Sequence, residues 1–128
     1  MPHLVIETTP TLGDLLDFPV LLQTVHHALA ATGDARLEDC KSRVRKTDSA
    51  LAGDDSRAQF IIIRLITTNP RAAAVERRMV ETVHAEFNAA VTKLELKASW
   101  QCCVLIERIA QGDYLKSSNR PALAQAAS

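Results

Sequence analysis

The sequence predicts an α/β (α+β) protein in which a β-α-β unit occurs twice, giving a four-stranded sheet with two helices on one face. Three observations predict it. The run AQFIIIRLIT (58–67) is largely apolar and rich in β-branched residues, as a strand buried on both faces should be. CKSRVRKT (40–47) alternates with a period of two, the mark of a strand with two unlike faces. Two longer stretches, one before each of these strands or after, repeat apolar residues at helical spacing.

In chain order, HLVIET (3–8) is short, apolar and β-branched, and TPTLGD after it reads as a turn. LLDFPVLLQTVHHALAATG then carries Phe18, Leu22, Val25 and Leu29 as a helical stripe. Asp17 and Pro19 mark its start and Gly33 its end. In the second strand Cys40, Ser42 and Val44 share one side, while Lys41, Arg43 and Arg45 make the other side cationic. DSALAGDDSRA (48–58) is a loop by its glycine and aspartates. After the third strand, TNPR interrupts, and AAAVERRMVETVHAEFNAAVTKL forms a long helix. Its core stripe is Val75, Met79, Val83, Phe87, Val91 and Leu94, with ERR (76–78) on the wet side. SWQCCVLIERI (99–109) is a fourth strand, and QGDYLKSSNRPALAQAAS closes the chain as an irregular tail. One domain over 1–118 with a tail at 119–128 follows.

Strands joined through a helix run parallel with a right-handed crossover. With both helices on one face, the other face of the sheet needs a cover, and a second copy of the chain is the economical one. At 128 residues the core is modest, so assembly is a natural supplement.

Composition narrows the function classes. Fifteen Lys+Arg balance fifteen Asp+Glu, so no net field points to nucleic acid or a membrane surface. No run of 18 apolar residues occurs and the start lacks the charged and apolar regions of a signal peptide, so a cytoplasmic protein is expected. Cys40, Cys102 and Cys103 are then reduced thiols without a disulfide framework. They lack the spacing of a zinc site, so no metal is expected, and Cys40 reads as an exposed thiol. Adjacent His26 and His27 point about 100° apart on a helix, which suits a surface or core pair better than a chelate. Trp100 reads as packing. No glycine-rich phosphate loop, G-x-S-x-G or paired catalytic carboxylates occur.

Chemistry is suggested by MPHLVIE. Met before a small residue is normally trimmed, which would leave Pro2 as a secondary amine. Burial and nearby cations would push its pKa toward neutrality, where a base moves protons on carbon well. A bland alternative is that Pro2 merely opens a strand. Likewise Lys41, Arg43 and Arg45 form either a solvated basic edge strand or an anion site beside Pro2. His3 is close by, with its side chain on the opposite side of the strand from its neighbour's, and carries no assigned role.

The stretches MPHLVIE, DFPVLL, ALAATG, KSRV, F-x-x-x-R-L after Ala58 and YLKSSN together resemble the tautomerase superfamily, and within it the 5-carboxymethyl-2-hydroxymuconate Δ-isomerases of homoprotocatechuate degradation. The resemblance implies a homotrimer of doubled β-α-β protomers, sheets inward and helices outward. It implies cofactor-free isomerisation of a small di- or tricarboxylate, an unsaturated 2-hydroxy or 2-oxo acid, with Pro2 as the base. By the same resemblance Lys41 and Arg71 fall on the family's active-site arginines, Arg43 on the second arginine of strand two, and Phe60 on a strand-leading phenylalanine. Lys41 replaces an arginine, and TTNPR replaces a glycine-rich turn. Those departures leave a second reading, a non-catalytic anion-binding trimer of the same fold. A third, a hydrating relative such as a haloacrylate dehalogenase, would need a water-activating carboxylate, with Glu7 and Asp48 as candidates.

Overall fold

The computed structural model describes residues 1–119. Its elements are β1 (His3–Thr8), α1 (Pro10–Leu15), α2 (Phe18–Ala31), β2 (Lys41–Lys46), β3 (Gln59–Thr67), α3 (Ala73–Lys93) and β4 (Trp100–Arg108). Short 3-10 turns at Leu37–Asp39 and Gln111–Asp113 flank β2 and follow β4. The sheet order is β2-β1-β3-β4. β1 and β2 are parallel, as are β3 and β4, while β1 and β3 run antiparallel. Each parallel pair is one β-α-β unit, and the two units meet in opposite senses at the central seam. This is the doubled fold that the sequence predicts.

Alternation decides which face is buried. Leu4 and Ile6 of β1 and Ile61, Ile63 and Leu65 of β3 are sealed under α2 and α3. From α2 come Leu21, Val25 and Leu29; from α3 come Met79, Val83, Phe87 and Val91. β3 is therefore buried on one side only, and not on both as its composition suggests: Ile62, Arg64 and Ile66 alternate onto the open face. There Arg64 forms a two-pronged ion pair with Glu107 of β4, at 2.6 and 2.9 Å. Leu105, 47% exposed, lies beside it.

The structure corrects several local expectations. TPTLGD is not a plain turn: Pro10 starts α1, and the close approach of Gly13 makes room for it. A Cβ at Gly13 would lie within 3 Å of Thr8 Oγ1 and of the Lys46 side chain. In α2 the central buried residue of the first turn is Leu21, with Phe18 and Leu22 at the margin, because the stripe rotates with a true 3.6 period. Cys40 is buried, its Sγ 3.5 Å from the Arg36 carbonyl, and is no exposed thiol. Cys102 packs against the core, where burial pushes its thiol up to about 11. Glu76 is not on a wet face; it is buried and paired with Arg108 of β4 at 2.8 Å. His26 of α2 meets Ser42 of β2 at 2.5 Å, tying the helix to the edge strand. Trp100 packs against the core as predicted. Most of the 119–128 tail lies outside the described residues. Among the described residues no helix is long and apolar enough to cross a membrane.

The link between the two helices is polar. Asp34, just beyond the left-handed Gly33 that ends α2, is buried. It accepts from Thr32 Oγ1 at 2.9 Å and from Arg78 Nε of α3 at 2.8 Å, and Arg78 Nη2 donates to its other oxygen. The Arg78 hydrogen bond holds its carboxyl below the usual carboxylate range. Replacing Asp34 by alanine should cost about 1–3 kcal/mol in urea unfolding at neutral pH. Arg78 is half-exposed, so solvent screening keeps the pair toward the low end. A carboxylate whose pKa is lowered on folding stabilises above its unfolded pKa. The difference between wild type and Asp34→Ala should therefore shrink as pH falls below about 4.

Candidate active site

The start of β1 is the best-defined polar constellation in the molecule. Pro2 is buried, and its carbonyl accepts from the Lys41 amide of β2 at 3.1 Å. The Met1 carbonyl accepts from Thr68 Oγ1 at 3.4 Å, so the chain enters the sheet between β2 and the end of β3. β3 ends there because it runs antiparallel to β1, with His3 opposite Ile66. The turn after it, TTNPR, brings Arg71 to the chain start. Arg71 Nη1 donates to the Asn69 carbonyl at 3.1 Å, which fixes the guanidinium against its own turn without any glycine.

Burial first and the Arg71 charge second lower the Met1 terminal amine to about 5. Asp39 opposes that shift, and Lys116 adds to it. The buried Cys40 lies alongside, its thiol pushed up by burial first and by Asp39 next. The causes are general ones for an amine at this end of β1: burial penalises the ammonium form and a guanidinium repels it.

Lys41 and Arg43 occupy the adjoining open face. Lys41 Nζ donates to the Asp39 carbonyl at 3.4 Å, and Arg43 Nη1 approaches His3 Nδ1 at 3.1 Å. That nitrogen accepts only in a neutral imidazole whose proton sits on Nε2. Burial depresses the His3 pKa, with Arg43 and Lys41 the next causes. Arg45, next on the same face, stands opposite Glu7. Thus Arg71 is the guanidinium beside the chain start, and Lys41 and Arg43 cluster one residue away around His3.

Phe60 is elsewhere. Its carbonyl accepts from the Thr9 amide at the far end of β1, roughly 23 Å along the strand from Pro2. An open groove of about 480 Å³ adjoins that end, lined in part by Gly53, Asp55, Gln59 and Trp100. No single chain can bring Phe60 to its own Pro2. The sequence assigned no site role to three residues at the chain start. Asp39 and Cys40 lie where the 3-10 turn enters β2, and Lys116 comes from the tail. YLKSSN was the one signal for Lys116, and nothing in its spacing shows where the tail goes.

The sequence model of the 5-carboxymethyl-2-hydroxymuconate isomerases matches residues 2–122, nearly the whole chain. The chain belongs to that family. Among solved structures it is similar to a 5-carboxymethyl-2-hydroxymuconate isomerase from Deinococcus radiodurans R1. The TM-score is 0.81 at 21% identity, over 92% of this chain and 90% of that one. A 5-carboxymethyl-2-hydroxymuconate Δ-isomerase structure gives 0.79 at 19% identity, over 93% and 89%. A member of the cis-3-chloroacrylic acid dehalogenase family gives 0.67 at 10% identity, over 89% and 79%. Comparison with curated protein sequences finds no match. At these identities the structures establish a shared tautomerase-like fold, and the family match establishes an isomerase.

Proposed function

We propose that the protein is a cofactor-free isomerase that moves a proton on an unsaturated 2-hydroxy or 2-oxo acid bearing more than one carboxylate. 5-Carboxymethyl-2-hydroxymuconate is the model substrate. Once Met1 is removed, the Pro2 nitrogen is the general base. It takes the proton from the 2-hydroxyl of the dienol, or from carbon in the reverse sense, and returns one to a carbon further along the conjugated system. The observation that carries this reading is the buried start of β1 with the Arg71 guanidinium beside it, a setting that lowers the pKa of the Met1 amine and favours the uncharged form of an amine at Pro2.

Arg71 binds the carboxylate or developing enolate oxygen next to the base. Lys41 and Arg43 bind the remote carboxylate from the open sheet face. Lys41 offers a point charge and no planar fork, so its hold on a carboxylate is less directional than an arginine's. Phe60 joins a neighbouring chain's site as an apolar wall in a homotrimer, whose formation covers the exposed face around Leu105 and Arg64. The enzyme then works in the cytoplasm, in homoprotocatechuate degradation, without nucleic-acid or membrane partners.

Intact mass combined with turnover tests the reading. The mature protein should lack Met1 and should ketonise 2-hydroxymuconate, followed by loss of dienol absorbance. A protein that keeps Met1 has an amide at Pro2 and cannot work this way. Arg71→Ala should lower kcat/KM about 10- to 100-fold, the scale for a lost charged hydrogen bond to substrate. It should also move the acid limb of the pH profile to higher pH. Removing a neighbouring cation raises the pKa of the amine, so the base is protonated over a wider range.

A further inference from the structure

The chain leaves β4 at the same end of the sheet as Pro2. Ile109 donates its amide to the Thr67 carbonyl at 2.8 Å, extending the parallel ladder past Arg108. After the 3-10 turn at Gln111–Asp113, Tyr114 donates its hydroxyl to Asn69 Oδ1 at 3.0 Å. Asn69 is the residue whose carbonyl holds Arg71. Two residues on, Lys116 Nζ lies 3.4 Å from Asp39 Oδ1, on the turn that precedes β2. The segment thus spans from the Arg71 turn to the Asp39 turn across the chain start. Leu115 between the two contacts is fully exposed, so apolar burial does not hold the segment there.

We propose that Lys116 is a carboxylate-binding residue of this site, carried over its mouth by the segment after β4 and positioned by Asp39. The inference rests on the site reading above and adds a fourth cation to Arg71, Lys41 and Arg43. An ammonium has three donors. One is directed at Asp39, which leaves two for an incoming anion. The Lys116 side chain is nearly half-exposed, whereas that of Asp39 is mostly buried, so the lysine end of the pair faces the approach. Its charge acts both on the amine at the chain start and on His3, lowering the pKa of each. A substrate with two or three carboxylates needs that many separate anchors. The position of Lys116 suits a carboxylate that Arg71 does not take.

The test uses the full chain with Met1 removed, as wild type, Lys116→Ala, Lys116→Arg and Asp39→Asn. The first readout compares a dicarboxylate dienol, 2-hydroxymuconate, with a monocarboxylate enol, that of phenylpyruvate. Lys116→Ala should raise KM for the dicarboxylate about tenfold with kcat within about threefold, and leave KM for the monocarboxylate unchanged. Lys116→Arg should recover most of the loss, and Asp39→Asn should reproduce part of it. An unchanged dicarboxylate KM in Lys116→Ala overturns the proposal, as does an equal rise for both substrates. The second readout does not depend on turnover: calorimetric binding of unreactive cis,cis-muconate. If wild type binds muconate but isomerises nothing, the catalytic reading fails while Lys116 is still judged, with about tenfold weaker binding in Lys116→Ala supporting it and equal binding overturning it.

Discussion

Pro2→Ala is expected to lower kcat/KM for 2-hydroxymuconate about 10²- to 10⁴-fold, the range for loss of a well-placed general base. The variant is informative because Met before alanine is also trimmed, so both proteins begin with an amine at one position. Backbone entry into the sheet is retained, since the Lys41 amide donates to the carbonyl of residue 2 whichever side chain stands there. What changes is a rigid secondary amine for a freely rotating primary one. The acid limb of the wild-type profile should lie at lower pH than the pKa of free proline's amine. Burial is the main cause that lowers the Met1 amine at this place, and the Arg71 charge is second, and both act in the same direction on Pro2. Equal kcat/KM for wild type and Pro2→Ala, with Met1 absent from both, would remove Pro2 from the chemistry.

Phe87→Ala should destabilise the fold by about 3–5 kcal/mol. Phe87 is the largest fully buried side chain, on the α3 stripe that closes over the sheet. Its neighbours are set by β1 and β3, which are held by strand pairs on both sides, so the space left behind cannot collapse easily. For a domain of this size a loss on that scale is a large part of the total. Urea unfolding followed by far-UV circular dichroism measures it. A cost below about 1 kcal/mol would mean that α3 shifts into the void and that the core is less tightly determined than its burial indicates.

These two positions differ in how visible they were beforehand. Phe87 could be read directly, because a helical stripe of apolar residues has one physical use in a chain of this kind. Pro2 could be read only as a chemical possibility, since whether its nitrogen is buried among cations depends on residues 37 to 114 positions away. Glu76 shows the limit of local pattern. It falls within a charged ERR run, yet the turn of α3 aims it at Arg108 on β4, and the pair is enclosed. Cys40 is similar: its own neighbours are charged, but the turn at Leu37–Asp39 folds it inward.

Periodicity by itself determined the four strands, the two long helices and their pairing into two β-α-β units, because period and crossover handedness are set by local sterics and hydrophobic burial. Family membership was legible for a related reason: most of the matching stretches are those that build β1, α2 and β2. Only the tertiary structure decided that the units meet antiparallel at β1 and β3. That seam brings Arg71 to Pro2 and sends Phe60 to the opposite pole. It likewise returns the segment after β4 to the chain start, setting Lys116 against Asp39. Charge fields and desolvation act through space, so a site assembled from three separate turns has no signature in the spacing along the chain.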